Sequence, residues 1–150
     1  MMGNDFRNGR HVVYNLHAHI VLVAKYRKLV MTDRASDDLR DSSTEVCGRF
    51  GVPLDAFETD GDHAHLLVSY PPKVALSHLV RALKTISSMR VRAHGWPEVA
   101  KALWGDHFWS PSYCVVSCGG APLETVKAYV EGQRAPNRQK AGPQPRRPKG

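Results

Sequence analysis

The residues best suited to chemistry sit in Gly61-Asp62-His63-Ala64-His65-Leu66-Leu67-Val68, a turn that feeds an apolar strand. Side chains of a strand alternate between faces, so His63, His65 and Leu67 share one face and Ala64, Leu66 and Val68 the other. The Ala64 face reads as core. Two imidazoles one step apart, beside an acidic turn, can share one divalent metal if a further protein ligand joins them and positions stay open for a substrate. The pattern is short, and two ordinary histidines on a half-exposed strand would show the same spacing. His17-x-His19 repeats that spacing upstream and competes for the role.

A second constellation lies in Tyr129-Val130-Glu131-Gly132-Gln133. On a helix, residues four apart share a face, so the Tyr129 phenol and the Gln133 amide approach a target together. Gln133 can offer its oxygen as a third metal ligand. Tyr129 can act as a nucleophile toward a phosphorus whose oxygens a metal polarises. A phenol with a pKa of about 10 attacks poorly by itself, so a polarised phosphodiester or a local base must assist. On spacing alone, a packed helix aromatic is the plainer account of Tyr129. Of the other tyrosines, Tyr14 shares parity with apolar residues and is expected in the core. Tyr26 falls in a basic connector, Tyr70 in a Pro-flanked turn, and Tyr113 in an aromatic-rich strand.

The elements that must position these residues follow from periodicity. His11 to Lys25 predicts a long central strand with aliphatics on both faces. Thr32 or Asp33 caps a helix to about Phe50, with a thin stripe of Leu39, Val46 and Phe50, and Gly51 stops it. Pro53 to Thr59 and His63 to Ser69 form a hairpin around Asp60-Gly61-Asp62. Val74 to about Ala93 is a second helix, with Leu76, Leu79, Val80, Leu83 and Ile86 on one face. Arg81, Lys84, Thr85, Ser88 and Arg92 form its other face, a basic strip that suits phosphates or is simply solvated. Trp104 to Gly119 predicts a fourth strand after an aromatic approach, and Leu123 to about Arg134 a last helix. The order gives an α+β fold: a ferredoxin-like or RRM-like split βαβ with a four-stranded antiparallel sheet and two helices on one face. The first and third strands are central, and the other face stays open for the last helix or for nucleic acid.

Length and charge agree with one such domain. The 150 residues carry a net charge of +7, and six of those charges fall in the acid-free segment from Arg134 to Gly150. We expect a catalytic domain over residues 1–134 and a disordered basic tail over 135–150. Pro71 to Gly95 is basic and acid-free, Lys25, Arg27 and Lys28 form a second basic knot, and Thr32 to Gly51 is acid-rich. Such polarity favours a phosphate-binding side. No apolar run approaches a membrane span, and Met1 to Arg10 shows no signal region. Three cysteines without a Cys-x-x-Cys pair favour a reducing, cytoplasmic setting.

The chain resembles the single-tyrosine HUH transposases, the small IS200-like enzymes of bacterial and archaeal insertion sequences. The matching residues are Lys25-Tyr26-Arg27, Asp62 to Val68, Leu79-Val80-Arg81-Ala82-Leu83-Lys84 with Ser87-Ser88, Leu103-Trp104, Trp109-Ser110-Pro111-Ser112-Tyr113 and Tyr129 to Gln133. They run in the family's order from about His11 to Gln133. The resemblance selects His63 and His65, with Gln133, as ligands of magnesium or manganese, and Tyr129 as nucleophile. It implies a strand transferase that binds single-stranded DNA hairpins at the element ends and forms a 5′-phosphotyrosine. A 3′-hydroxyl then rejoins the strands. No nucleotide cofactor is implied, and no phosphate-cradling Gly-rich loop is visible. Lys25, Arg27, Lys28, Arg81, Lys84, Ser88 and Arg92 are the expected DNA contacts. The resemblance further implies a homodimer that can exchange the tyrosine helix through a hinge at Gly119-Gly120-Ala121-Pro122. Two other readings fit the residues: a domesticated relative processing repeated hairpins with the same chemistry, and a non-catalytic RRM-like nucleic-acid-binding module.

Overall fold

Strand alternation and helical stripes converge on one main core. The computed structural model describes residues 5–25, 31–103, 107–119 and 121–133. Tyr26, Arg27, Lys28, Trp104, Gly120, Arg134 and the tail 135–150 lie outside them. The elements are β1 (Arg7–Asn8), β2 (Val13–Tyr14), β3 (His17–Ala24), α1 (Asp33–Arg49), β4 (Leu54–Asp60), β5 (His63–Ser69), α2 (Leu76–Ala93), α3 (Pro97–Leu103), β6 (Trp109–Ser117) and α4 (Leu123–Glu131). Strands β3 to β6 form an antiparallel sheet in the order β4-β5-β3-β6. This is the expected split βαβ arrangement, with β3 and β5 at its centre. No described helix is long and apolar enough to cross a membrane.

The long first strand expected from His11 to Lys25 is instead two strands. Val13–Tyr14 pairs with Arg7–Asn8 in a separate small hairpin, and pairing with β5 begins only at His17. The ladder ends because its partner ends. Ser69 faces His17, Tyr70 N–H donates to Leu16 O at 3.0 Å, and Pro71-Pro72 then offers no donor. Tyr14 is accordingly half-buried in the hairpin and outside the core.

Ala18, Ile20 and Leu22 of β3 and Ala64, Leu66 and Val68 of β5 are each no more than 2% exposed. They pack against Leu39 and Val46 of α1 and Leu79, Val80 and Leu83 of α2. Thr32 caps α1, its hydroxyl accepting from Ala35 N–H at 3.3 Å. The buried face of α1 also contains Ser36, Ser42, Ser43 and Cys47. Ser36 and Thr59 share a hydroxyl hydrogen bond of 2.9 Å. Burial, aided by the Asp55 charge, pushes the Cys47 thiol up to about 12, so it is inert core. The acidic first helix and the basic second helix answer each other: Arg90 meets Glu45 at 2.6 Å, and His94, just past α2, meets Asp38 at 3.1 Å.

The opposite face of the sheet carries a much smaller apolar cluster. Ala56 of β4, Leu67 of β5 and Val130 of α4 are buried there, with Leu123, Val126 and Cys118 packed around them. Leu123, Val126 and Val130 fall at helical spacing, so α4 lays one narrow stripe on β4 and β5.

Candidate active site

Parity places His63 and His65 on the face that α4 covers, because they alternate with the buried Ala64, Leu66 and Val68. Their rings lie 6.1 Å apart and are tilted by only 19°. The turn before them is set by Gly61, whose φ of +64° is the left-handed conformation that glycine adopts without strain. That turn holds Asp60 and Asp62 on either side of it, both close to the imidazoles. His63 Nδ1 and Asp62 Oδ1 are 2.6 Å apart. Asp60 reaches both rings: one oxygen is 3.6 Å from His63 Nδ1 and the other 3.3 Å from His65 Nε2. Ligand atoms of Asp60, Asp62 and His63 lie within 4.8 Å of one another, a group able to hold a cation. Imidazole nitrogen with carboxylate oxygen suits divalent metals of intermediate to hard character.

The upstream pair His17 and His19 does not act as a unit. His17 is buried, with Nδ1 2.8 Å from Ser69 Oγ, and Ser69 donates in turn to Asp55. His17 Nε2 is buried without a hydrogen-bond partner among the described residues. His19 instead joins the downstream pair, its Nε2 3.1 Å from His65 Nδ1. Burial first, and then the neighbouring His65, lowers the His19 pKa from its ordinary value.

Tyr129 comes to this cluster from above. It is 61% exposed, and its ring stands edge-on to His19 with centroids 6.0 Å apart and planes at 81°. Gln133 lies just past the end of α4, where its side-chain amide donates to Tyr129 O at 3.3 Å. Gly132, which the sequence places inside the tyrosine helix, is the residue on which that helix ends.

The expected DNA-contacting residues are scattered by the fold. Arg81, Ser88 and Arg92 stand on α2, across the sheet from the imidazoles. A cavity of about 340 Å³ opens there between α1 and α2, lined in part by Phe50, Arg81 and Ile86. The Lys84 ammonium donates to Ser110 O at 2.7 Å and Pro111 O at 2.9 Å, and sits 5.3 Å from the Tyr113 ring. Burial lowers its pKa from the ordinary lysine value. Ser88 donates to Thr85 O at 3.2 Å. Lys25 lies at the end of β3, its N–H donating to Phe108 O at 2.8 Å. Arg27 and Lys28 lie outside the described residues. Sequence reasoning marked the turn at Asp60 as acidic but gave it no part in the site. The signal available was the Asp-Gly-Asp-His order itself, since a two-residue hairpin loop sets Asp60 directly across from His63.

Comparison with known proteins identifies the family. The family described as "Transposase IS200 like" matches residues 12–133. The chain belongs to the IS200-like transposases. The ISDra2 transposase TnpA of Deinococcus radiodurans is 32% identical over 129 residues, spanning 86% of this chain and 91% of that protein. The transposase for insertion sequence element IS200 of Salmonella typhimurium is 24% identical over the same length. A Deinococcus radiodurans crystal structure assigned to the transposases matches with a TM-score of 0.68 at 32% identity, covering 86% of this chain and 98% of that one. A REP-associated tyrosine transposase bound to a REP hairpin matches with a TM-score of 0.55 at 14% identity, which supports the fold of this IS200-like transposase.

Proposed function

We propose that this transposase cuts and rejoins single-stranded DNA at element ends, with Tyr129 as the nucleophile and a 5′-phosphotyrosine as the intermediate. One observation carries the reading. Tyr129 reaches the sheet edge-on against His19, whose Nε2 lies 3.1 Å from a nitrogen of His65, and His65 shares Asp60 with His63. The nucleophile and the candidate metal ligands are therefore linked through one intervening ring. Of the described tyrosines, Tyr14, Tyr70, Tyr113 and Tyr129, only Tyr129 stands on a helix.

His63 and His65 would hold magnesium or manganese, with Asp60 as the carboxylate already beside both rings and Gln133 as the ligand borne next to the tyrosine. When bound, such a cation polarises the oxygens of the scissile phosphate. Asp62, 2.6 Å from His63 Nδ1, would hold that ring in place beside Asp60. The phenolic oxygen of Tyr129 attacks phosphorus, the bond to the 3′-oxygen breaks, and that oxygen leaves as a hydroxyl with the phenol's proton. A second 3′-hydroxyl reverses the exchange and returns the proton to Tyr129. One phosphodiester replaces another at each step, so neither needs a nucleotide. A hairpin ligand, such as the fold neighbour binds, is the proposed substrate, with Lys25, Arg27, Lys28, Arg81, Ser88 and Arg92 as the proposed phosphate contacts. Lys84 is largely committed to the backbone of β6. We place the enzyme in the cytoplasm, where such DNA is found.

The partner is a second copy of the chain. Among the described residues, strand β6 pairs only with β3, which leaves its outer edge open there, and Tyr113, Val115 and Val116 on it are exposed. An uncovered apolar edge invites another strand. The structure seats α4 on its own sheet. Mixing Tyr129→Phe with His63→Ala chains tests exchange of that helix between subunits, because only exchange restores an intact site.

The decisive experiment offers the protein and magnesium a 3′-end-labelled single-stranded hairpin from the DNA flanking its gene. We expect a labelled band that survives denaturant, with the phosphate mapped to Tyr129 by mass spectrometry. Tyr129→Phe should fold and bind the hairpin yet give no band. An adduct on another tyrosine overturns the assignment, and cleavage of duplex but not single-stranded DNA overturns the substrate.

A further inference from the structure

We propose that His19 is a positioning residue that couples the metal-facing imidazole of His65 to the nucleophilic phenol of Tyr129; this rests on the site reading above. Strand geometry puts it there. In the β3–β5 register, His19 faces Leu67 and Val21 faces His65, so His19 meets His65 on the diagonal of one sheet face. Its Nε2 is 3.1 Å from His65 Nδ1. A neutral imidazole has one N–H donor and one acceptor nitrogen. The other nitrogen of His65, Nε2, is the one beside Asp60. For Nε2 to serve as a ligand, the ring proton of His65 must sit on Nδ1 and be donated away from the metal. His19 Nε2 is the atom in place to accept it. His19 thereby selects the tautomer of His65 that can bind a cation. The opposite tautomer would point N–H at Asp60 and block the position.

The same ring serves the nucleophile. Tyr129 meets His19 edge to face at 6.0 Å, the preferred arrangement of two such rings. Among the described residues, no other ring touches Tyr129, and its surface is otherwise largely open. One side chain thus holds the register between the ligand set on β5 and the phenol on α4.

Two variants separate these duties. His19→Phe keeps a ring against Tyr129 and removes the acceptor; His19→Gln keeps an acceptor near the position of Nε2 and removes the ring. Manganese affinity of the full-length chain, read by electron paramagnetic resonance, should weaken about 10-fold or more in His19→Phe, the usual cost of losing the partner that orients a ligand histidine. His19→Gln should stay within about threefold of wild type. At saturating manganese the order reverses: His19→Phe forms the tyrosine adduct at near the wild-type rate, and His19→Gln is slowed. Wild-type manganese binding by His19→Phe, with binding lost in His63→Ala, overturns the role of His19 and leaves the metal site standing. Equal loss in both His19 variants, with a matching fall in melting temperature, shows packing alone and overturns it too. Unchanged binding in His63→Ala and His65→Ala overturns the metal site itself.

Discussion

On the helix side of the sheet, Ala64, Leu66 and Val68 disappear under α1 and α2. One strand step away, His63 and His65 face Asp60, and a nine-residue helix covers little beyond Leu67 and Ala56. The first face spends its side chains on burial, and its charges pair across the helices, as Glu45 does with Arg90. The second links three imidazoles, His19, His63 and His65, with the carboxylates of Asp60 and Asp62 and accepts a thin core in exchange. Alternation lets a single strand serve both, so neighbouring residues of β5 should fail in opposite ways when replaced.

The largest contrast is between His63 and Leu66. His63→Ala should lower the rate of adduct formation by 100-fold or more, roughly the range seen when a positioned catalytic group is lost. Its melting temperature should hardly move. Leu66→Ala should cost about 2–5 kcal/mol of stability through lost burial and the cavity left behind. Its adduct rate, measured well below its melting temperature, should stay close to wild type. If urea titration finds His63→Ala as destabilised as Leu66→Ala, the division between the faces is wrong.

His17 sharpens the division, because parity and partners disagree about it. It shares a face with His19, yet its Nδ1 belongs to the Ser69–Asp55 chain. We expect His17→Ala to cost on the order of 1 kcal/mol, the penalty for leaving a buried hydroxyl short of one partner. Adduct formation should fall far less than in His63→Ala. A His17→Ala protein that melts normally but has lost cleavage would move His17 into the chemical set and make the upstream pair the metal site.

The smallest expected effect concerns the edge where both faces end. Val116→Lys puts a charge on the open side of β6 and should shift sedimentation toward the monomer with little change in melting temperature. A wild-type chain that sediments as a monomer at every concentration would remove the proposed partner altogether.

How far the sequence revealed these faces depended on the type of signal. The alternation of β5 and the stripe of α2 are carried by strongly apolar side chains, and both were legible. The break at Asn15-Leu16 was not, because the alternation runs on through it and the cause, the exit of β5 at Pro71, lies elsewhere in the chain. The face of α1 was half visible, since Ser36, Ser42 and Ser43 are polar by type and buried by circumstance. Lys84 read as one cation in a basic strip, whereas its ammonium is taken up by carbonyls of β6, which sequence spacing does not report. His63, His65 and Tyr129 were singled out by parity, helical spacing and resemblance. The closeness of Asp60 to both rings, and of His19 to His65, needed the strand registers.

The first amide of α4 has a distant partner. Leu123 N–H donates to Asp5 at 2.9 Å, across 118 residues, and no side chain of its own cap does that work. Asp5 precedes the span 12–133 that the family shares. A contact of such long range is among the costliest in chain entropy to close and tends to form late in folding. During synthesis, the helix that carries Tyr129 is therefore fastened only once nearly the whole domain has emerged, so a partly made chain holds His63 and His65 before it holds Tyr129.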